Sequence, residues 1–396
     1  MAKTYAEIND KIKKGTAVVL TAEEVSELAK TLSPKEIAEK VDVVTTATFG
    51  AMCSSGAFLN FGHTTPPIRM EKIELNGVRV SGGLAAVDTY VGATDCNPEN
   101  PSYGGAHIIE DLVAGKEITL EAWGKGTDCY PRKHIKTVIT KDTINEAILY
   151  NPRNAYQNYN VATNSTDKIK YTYMGTLLPK LRNASYSTAG ELSPLLNDPE
   201  CRTIGLGTRI FLCGTEGYVT WNGTQFHSTK ETNEYGIPTS NARTIAVIGD
   251  LKNMSTEFLR GVYYEKYGVS MFVGIGIPIP ILDEDLARRV SIRNEQIETT
   301  VVDYGNGNKI LGKTNYAALQ SGEIEVNGHK IKTAPVASLS KARQIAKILK
   351  SWIQKGDFLL TEPVRPMPTG TSLKGLQEIE NGELKIEKSK IDNDYD

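Results

Sequence analysis

The chain lacks a hydrophobic run long enough to cross a membrane. Its longest apolar stretch, Val269 to Leu282, falls short of the roughly 20 residues a spanning helix needs, and Pro278 and Pro280 interrupt it. It also lacks charge of one sign. Against 47 Asp and Glu stand 45 Lys and Arg, a formal charge of −2, with no basic block to neutralise phosphates or to hold an anionic lipid surface. Nucleic-acid and membrane partners are therefore not expected. A cysteine framework is missing too: Cys53, Cys96, Cys129, Cys201 and Cys213 are odd in number and scattered, and no Cys-x-x-Cys occurs. Neither a zinc ribbon nor an iron–sulfur cluster has its usual ligand spacing, and no two histidines fall at helical spacing, so no metal site is expected. The opening Met-Ala-Lys-Thr-Tyr-Ala-Glu has no apolar core of a secretory signal, which makes a cytoplasmic protein with reduced thiols the expectation.

What is present suits a large globular chain. Apolar residues make up 40% of the 396 and glycine adds 35, so a core forms without disulfide staples. Tyr5 to Lys14 reads as a helix and Ala17 to Leu20 as a short strand. Thr21-Ala-Glu-Glu24 is a capping box opening a helix toward Leu32, and Ser33-Pro34 opens another. Val41 to Thr46 is β-branched and strand-like, followed by a glycine-rich loop from Gly50 to Pro67. Asn76-Gly77 marks a hairpin turn within residues 71–92, Glu117 to Trp123 reads as a strand, and Asn222-Gly223 marks a second hairpin within Ile210 to Phe226. Then come apparent alternations: strand Thr244 to Gly249, helix Ser255 to Tyr267, strand Val269 to Ile277, helix Asp283 to Val290 and strand Thr299 to Tyr304. Continuous apolar strands separated by amphipathic helices predict parallel pairing with right-handed crossovers. Ser338 to Gln354 is a long helix, and Asp357 to Leu360 a last strand. The expected fold class is α/β, a mixed, partly parallel sheet with crossover helices and β-rich insertions between residues 70 and 235. Residues 1–370 form one expected unit, divisible into α/β lobes near 1–135 and 240–365 around a β-rich middle, and 371–396 a charged tail.

Two cysteines stand out. Cys129 lies in Gly124-Lys-Gly-Thr-Asp-Cys129-Tyr-Pro-Arg-Lys-His134, just after a predicted strand, where α/β proteins place working residues. Arg132, Lys133 and His134 follow closely, and nearby cations favour a nucleophilic thiolate. Cys53 lies in Phe49-Gly-Ala-Met-Cys53-Ser-Ser-Gly56, whose small residues suit an anion-binding nest of backbone N–H groups. For both, a structural thiol stays open as the alternative. Sequence does not place the two within bonding reach. The loop Asn60-Phe-Gly-His63-Thr-Thr-Pro-Pro-Ile-Arg69 frames two prolines with a His and an Arg, which suits capture of a carboxylate or a plain solvent-facing turn. Gly274-Ile-Gly276 lacks the third glycine of a dinucleotide fingerprint and reads as a tight turn.

The run Thr45-Thr-Ala-Thr-Phe-Gly-Ala-Met-Cys53-Ser-Ser-Gly-Ala-Phe-Leu-Asn-Phe-Gly-His63, taken with Asp128-Cys-Tyr-Pro-Arg-Lys133, resembles the homocysteine-biosynthesis family of anaerobic archaea and bacteria, described as L-aspartate semialdehyde sulfurtransferases. The likeness extends from near the N-terminus to about Pro368. Many members continue into a pair of nucleotide-sensing CBS domains; this chain is expected to be the form without them. The resemblance implies a persulfide route in which Cys129 carries the sulfur and Cys53 assists. Making the thiol of homocysteine from the aldehyde of L-aspartate 4-semialdehyde consumes sulfide and two electrons and releases water. No flavin, nicotinamide or cluster motif is recognisable, so the chain is expected to bind no cofactor and to draw electrons from a separate ferredoxin-like iron–sulfur partner. In this picture sulfide opens a Cys53–Cys129 disulfide to give a persulfide and a thiol. His63 or His134 moves protons, Lys133 supports the thiolate, and Arg69 or Arg132 holds the substrate carboxylate. Two other classes stay open: an acyl or coenzyme A transferase with a carboxylate nucleophile, and a non-catalytic partner of an iron–sulfur protein. Self-association is left undecided.

Overall fold

A computed structural model of the chain describes residues 2–376 and the backbone of 379–380 and 383–384. Most of the tail expected over 371–396 lies outside the described residues. The N-terminal segment is punctuated by three capping boxes. Thr4, Thr21 and Ser33 each accept a hydrogen bond from the N–H three residues on, and Glu7, Glu24 and Glu36 reach back to the cap N–H. They open the helices Tyr5–Lys13, Ala22–Leu28 and Pro34–Lys40. The second and third of these cross over between Val19–Thr21 and Val43–Ala51, which pair in parallel. Buried Asp42 fastens the unit, accepting from the Val18 N–H and from the ammonium groups of Lys3 and Lys11.

Among the described residues the largest sheet has ten strands. Its order is Val19–Thr21, Val43–Ala51, Gly268–Pro280, Arg209–Leu212, Thr215–Asn222, Ile245–Asp250, Glu146–Asn154, Gly56–Asn60 and Asp88–Gly92, with Leu259–Tyr264 beside the first half of Gly268–Pro280. Only its first pair is parallel; the others are antiparallel. A six-stranded sheet built around Val161–Thr163, Asn183–Tyr186 and Glu298–Asp303 mixes both senses, and a four-stranded antiparallel sheet runs Val78–Val80, Lys72–Leu75, Ile118–Trp123, His134–Ile139. The fold is thus mixed α/β, as expected. No described helix is long and apolar enough to cross a membrane.

The parallel crossovers expected between Thr244 and Tyr304 are not present. Ser255 to Tyr267 is not a helix. Leu259–Tyr264 is a strand, rich in the residues strands favour, and turns through Lys266 (φ 56°) and Gly268 (φ 129°) into Gly268–Pro280. Glu298–Asp303 belongs to the other sheet. The apolar run of Gly268–Pro280 reflects burial under helix Leu339–Lys355 rather than parallel pairing. Gly274 and Gly276 are mid-strand, where a Cβ would stand 2.9 Å and 3.0 Å from Ile345 side-chain atoms of that helix. They form a groove for the helix and not a tight turn. The second hairpin turns at Cys213-Gly214 (φ 51° and 100°) instead of Asn222-Gly223, and Asp357 to Leu360 is not a strand.

One connection dictates the shape. The glycine-rich loop is divided: Val43–Ala51 takes its start and Gly56–Asn60 its middle as strands, leaving the turn Met52–Ser55 and an irregular stretch from Phe61 to Pro67. Those strands stand six steps apart in the sheet order, about 29 Å if the sheet were flat. The residues from Ala51 to Gly56 reach at most about 17 Å. The sheet must curl, and the Met52–Ser55 turn spans the seam.

The groove makes a prediction. In Gly274→Val the added atoms meet Ile345 and the Phe258 carbonyl oxygen, 3.1 Å from a Cβ, so stability should fall by about 2 kcal/mol. Urea unfolding of the two proteins checks this; an unchanged midpoint would show that the helix yields freely.

Candidate active site

The seam turn holds Cys53. Met52 N–H donates to the Met271 carbonyl (2.7 Å) and Ser55 N–H to the Met52 carbonyl (3.1 Å), closing the turn. On its other side Ser54 Oγ donates to the Arg153 carbonyl (3.2 Å), and Asn151 Nδ2 donates to Ser55 Oγ (2.8 Å). So clamped, the half-buried Cys53 sets its Sγ 3.3 Å from Ser270 Oγ and 3.5 Å from the Tyr267 hydroxyl. Ser270 is fully buried.

Around this pair of hydroxyls gather tyrosines from both large sheets. Tyr173 lies with its ring centroid 6.0 Å from Tyr267 and also 6.0 Å from Tyr304; Tyr156 meets Tyr159 edge-on at 4.7 Å. Tyr159 OH donates to Tyr173 OH (3.1 Å), which shares a 2.8 Å hydrogen bond with Tyr304 OH. Burial pushes Tyr264 up to about 12, with the Cys53 charge adding to it. Burial also lifts Tyr156 to about 12, against the lowering effect of the Arg153 cation. Tyr267 is raised as well, by burial first and then by its hydrogen bond to Cys53. These groups keep their protons at neutral pH, so the hydroxyl of Tyr267 that touches the Cys53 sulfur is a neutral donor, like that of Ser270.

Cys129 sits differently. Its loop, residues 124–133, joins Ile118–Trp123 to His134–Ile139 in the four-stranded sheet. Thr127 and Tyr130 exchange backbone hydrogen bonds (2.9 and 3.1 Å) around Asp128-Cys129, which leaves Cys129 exposed with no side-chain hydrogen bond among the described residues. Arg132 Nη2 is engaged by the Thr65 carbonyl (2.8 Å), and its N–H by the Pro67 carbonyl (3.2 Å). His63 stacks on Tyr130, with ring planes 17° apart. His134 Nε2 lies 3.0 Å from Glu121 Oε1, and its ring is against Trp123. Lys133 and Arg69 are exposed. The fold therefore gathers His63, Arg69, Arg132, Lys133 and His134 around the Cys129 loop, with two of them held by other partners.

Cys53 is not in that group. Gly56 pairs with Tyr150, and Ser54 bonds Arg153 three residues further on, so the Cys53 turn continues away from Asn60. The segment packed on the Cys129 loop leaves from the Asn60 end. A strand of that length alone separates the two ends by about 13 Å, against a Cα limit near 7 Å for a disulfide. In this arrangement both thiols are free. Cys201 and Cys213 are buried and Cys96 is exposed. Burial pushes the Cys213 thiol up to about 12 and raises Cys201 too. Among the described residues no cluster of three His, Cys, Asp or Glu could hold a metal ion. A cleft lined by Leu32, Tyr235, Arg288, Ile292 and Arg293 contains neither Cys53 nor Cys129.

Sequence reading missed Tyr267, Ser270, Tyr156, Tyr264 and Arg153. The available signal was composition: 18 tyrosines against 8 phenylalanines, with Tyr263-Tyr264-Glu-Lys-Tyr267 closely spaced. A buried tyrosine needs a use for its hydroxyl that a phenylalanine does not.

The profile described as homocysteine biosynthesis enzyme, sulfur-incorporation, matches residues 17–360. The chain belongs to this family. It is 51% identical over 382 residues to a protein of Methanocaldococcus jannaschii named L-aspartate semialdehyde sulfurtransferase, a match covering 91% of this chain and 72% of the relative. A Methanosarcina acetivorans protein of the same name is 47% identical over 380 residues, covering 95% and 74%. An uncharacterised protein of Methanothermobacter thermautotrophicus is 26% identical over 349 residues. No solved structure matches. In this member of the family, the Cys53 seam and the Cys129 loop both fall inside the matched region.

If the two hydroxyls support charge on Cys53, Tyr267→Phe should slow alkylation of Cys53 by iodoacetamide at neutral pH about fivefold, the worth of one hydrogen bond. Alkylation of Cys129 should not change. Peptide-resolved mass spectrometry over a time course measures both, and equal rates at Cys53 would remove Tyr267 from the site.

Proposed function

We propose that this chain is a sulfurtransferase that turns L-aspartate 4-semialdehyde into L-homocysteine. The observation carrying this reading is the 51% identity, along 91% of the chain, to a protein named for that activity. The balance is one aldehyde, one hydrogen sulfide, two electrons and two protons giving one thiol and one water. The electrons come from a ferredoxin-like iron–sulfur partner, since the reaction needs a donor and the chain carries no recognisable redox motif.

Sulfur travels as a cysteine persulfide. Sulfide opening a Cys53–Cys129 disulfide yields one persulfide and one thiol. The terminal sulfur adds to the aldehyde carbon; two electrons from the partner and two protons then replace the resulting hydroxyl with hydrogen and release water, leaving the product joined to Cys129 as a mixed disulfide. The Cys53 thiol attacks the Cys129 sulfur of that bond, which releases the homocysteine thiol and restores the Cys53–Cys129 disulfide. Cys129, exposed on its loop, is the carrier; Cys53, among neutral hydroxyl donors, assists. His63, His134 and Lys133 serve proton movement and thiolate formation at the loop. Arg69 and Arg132 supply positive potential there for an arriving anion. Because the two thiols stand at opposite ends of Gly56–Asn60, the handover requires the Cys129 loop to approach a Cys53 turn, in the same chain or in a second copy.

The test is anaerobic mass spectrometry of the oxidised protein before and after sulfide, with alkylation to trap persulfides. One extra sulfur on the Cys129 peptide, absent in Cys129→Ser, is the expected outcome. A Cys129 peptide unmodified under all conditions would sink the persulfide route.

A further inference from the structure

The strand Glu146–Asn154 delivers a cation without a counter-ion among the described residues to the Cys53 turn. The backbone of Arg153 is fixed on both sides. Its carbonyl accepts from Ser54 Oγ (3.2 Å), and its N–H donates to Asn151 Oδ1 (3.0 Å), while the Asn151 amide holds Ser55 (2.8 Å). The start of the side chain is therefore tied to the two residues that follow Cys53. Its Nε is shut off from solvent and has no hydrogen-bond partner among the described residues. The guanidinium has no ion pair among them either.

Several other arginines are ion-paired: Arg202 with Asp283 and Asp285, Arg209 with Glu216, Arg289 with Asp285 and Glu200, and Arg343 with Glu23. Among the described residues others, Arg69 and Arg132 included, have no ion pair, but only Arg153 buries a guanidinium nitrogen without a hydrogen-bond partner. A buried donor left unsatisfied costs about 1–3 kcal/mol, and a partly desolvated charge costs more unless an opposite charge meets it. A planar guanidinium fork is matched in shape and charge by a carboxylate. The Arg153 cation favours and the Cys53 charge opposes ionisation of Tyr156, which agrees with the placement that the backbone contacts give.

We infer that Arg153 is the carboxylate-binding group of the Cys53 site, holding the substrate's carboxylate so that its aldehyde end lies at the Cys53 turn, to which the Cys129 loop brings the persulfide. This rests on the activity proposed above, whose four-carbon substrate carries a carboxylate two carbons from the aldehyde. Arg132, which gives one guanidinium N–H to the Thr65 carbonyl, and Arg69 both lie at the Cys129 loop and not at the Cys53 turn. The bidentate pair would satisfy the buried Nε and complete the site only when substrate is present.

Two alkylating agents of nearly equal size separate the parts of this inference. Iodoacetate carries a carboxylate and iodoacetamide does not, so the ratio of their rates at Cys53 reports an anion-attracting group beside the sulfur without reference to turnover. Arg153→Gln should lower that ratio about tenfold at Cys53, and Arg153→Lys should keep part of it, as expected for a desolvated charge. The ratio at Cys129 should stay the same in all three proteins. In turnover, Arg153→Gln should raise KM for L-aspartate 4-semialdehyde about a hundredfold, with a smaller change in kcat, as loss of a charge-assisted pair predicts. An unchanged ratio at Cys53 in both variants overturns the inference. So does a KM left at the wild-type value while the ratio falls. If the wild-type protein does not consume the semialdehyde yet the ratio still collapses in Arg153→Gln, the carboxylate site stands and the proposed activity fails.

Discussion

The reach of a short peptide governs the architecture. The residues from Ala51 to Gly56 cannot bridge two strands that lie six steps apart across an open sheet. Folding meets this limit by curling the sheet until its distant strands come near each other, and everything chemical about the seam follows from that closure. Ser270 and Tyr267 on one wall meet Cys53, and the Arg153 carbonyl on the other accepts from Ser54 beside it, because the wall carrying Gly268–Pro280 and the wall carrying Glu146–Asn154 are brought to the same turn. The helix Leu339–Lys355, seated in the Gly274 and Gly276 groove, backs the strand that presents Ser270.

Two cysteine environments result, and they differ in how they treat charge. At the seam, half-buried Cys53 meets neutral hydroxyls, and the neighbouring strand carries a guanidinium without an ion pair among the described residues whose Nε is shut off from solvent. At the Cys129 loop, cations stand in water, where screening weakens them, and Arg132 and His134 are engaged by the Thr65 carbonyl and by Glu121. The first suits holding and activating a substrate. The second suits exchange with something arriving from solution. A family whose description is sulfur incorporation has use for both.

Much of the frame was legible locally. The capping boxes at Thr21 and Ser33 were readable because the signal and the helix start lie within one turn. Asn76-Gly77 was readable because its backbone angles (φ 48° and 79°) are ones few other residues adopt. Ser255 to Tyr267 misled because apolar spacing over so short a run fits a helix as well as a strand. Asn222-Gly223 misled because a turn motif does not say whether a hairpin needs it there; the chain had already reversed at Cys213-Gly214. Cys53 and Cys129 were visible as chemistry from their neighbours in sequence. Tyr267, Ser270 and Arg153 were not, since they lie far from Cys53 along the chain.

The sequence by itself determined the capped helix starts at Thr21 and Ser33, the two cysteine-bearing segments and, through their wording, the family. Only the tertiary structure decided that Gly268–Pro280 runs antiparallel beside Val43–Ala51, that Cys53 faces tyrosines while Cys129 faces water, and that Arg153 buries an Nε with no partner among the described residues. The reason is range. Caps, turns and loop composition act over a few residues and leave their mark in the chain, whereas strand partnership and desolvation arise from which distant segments the curled sheet brings into contact.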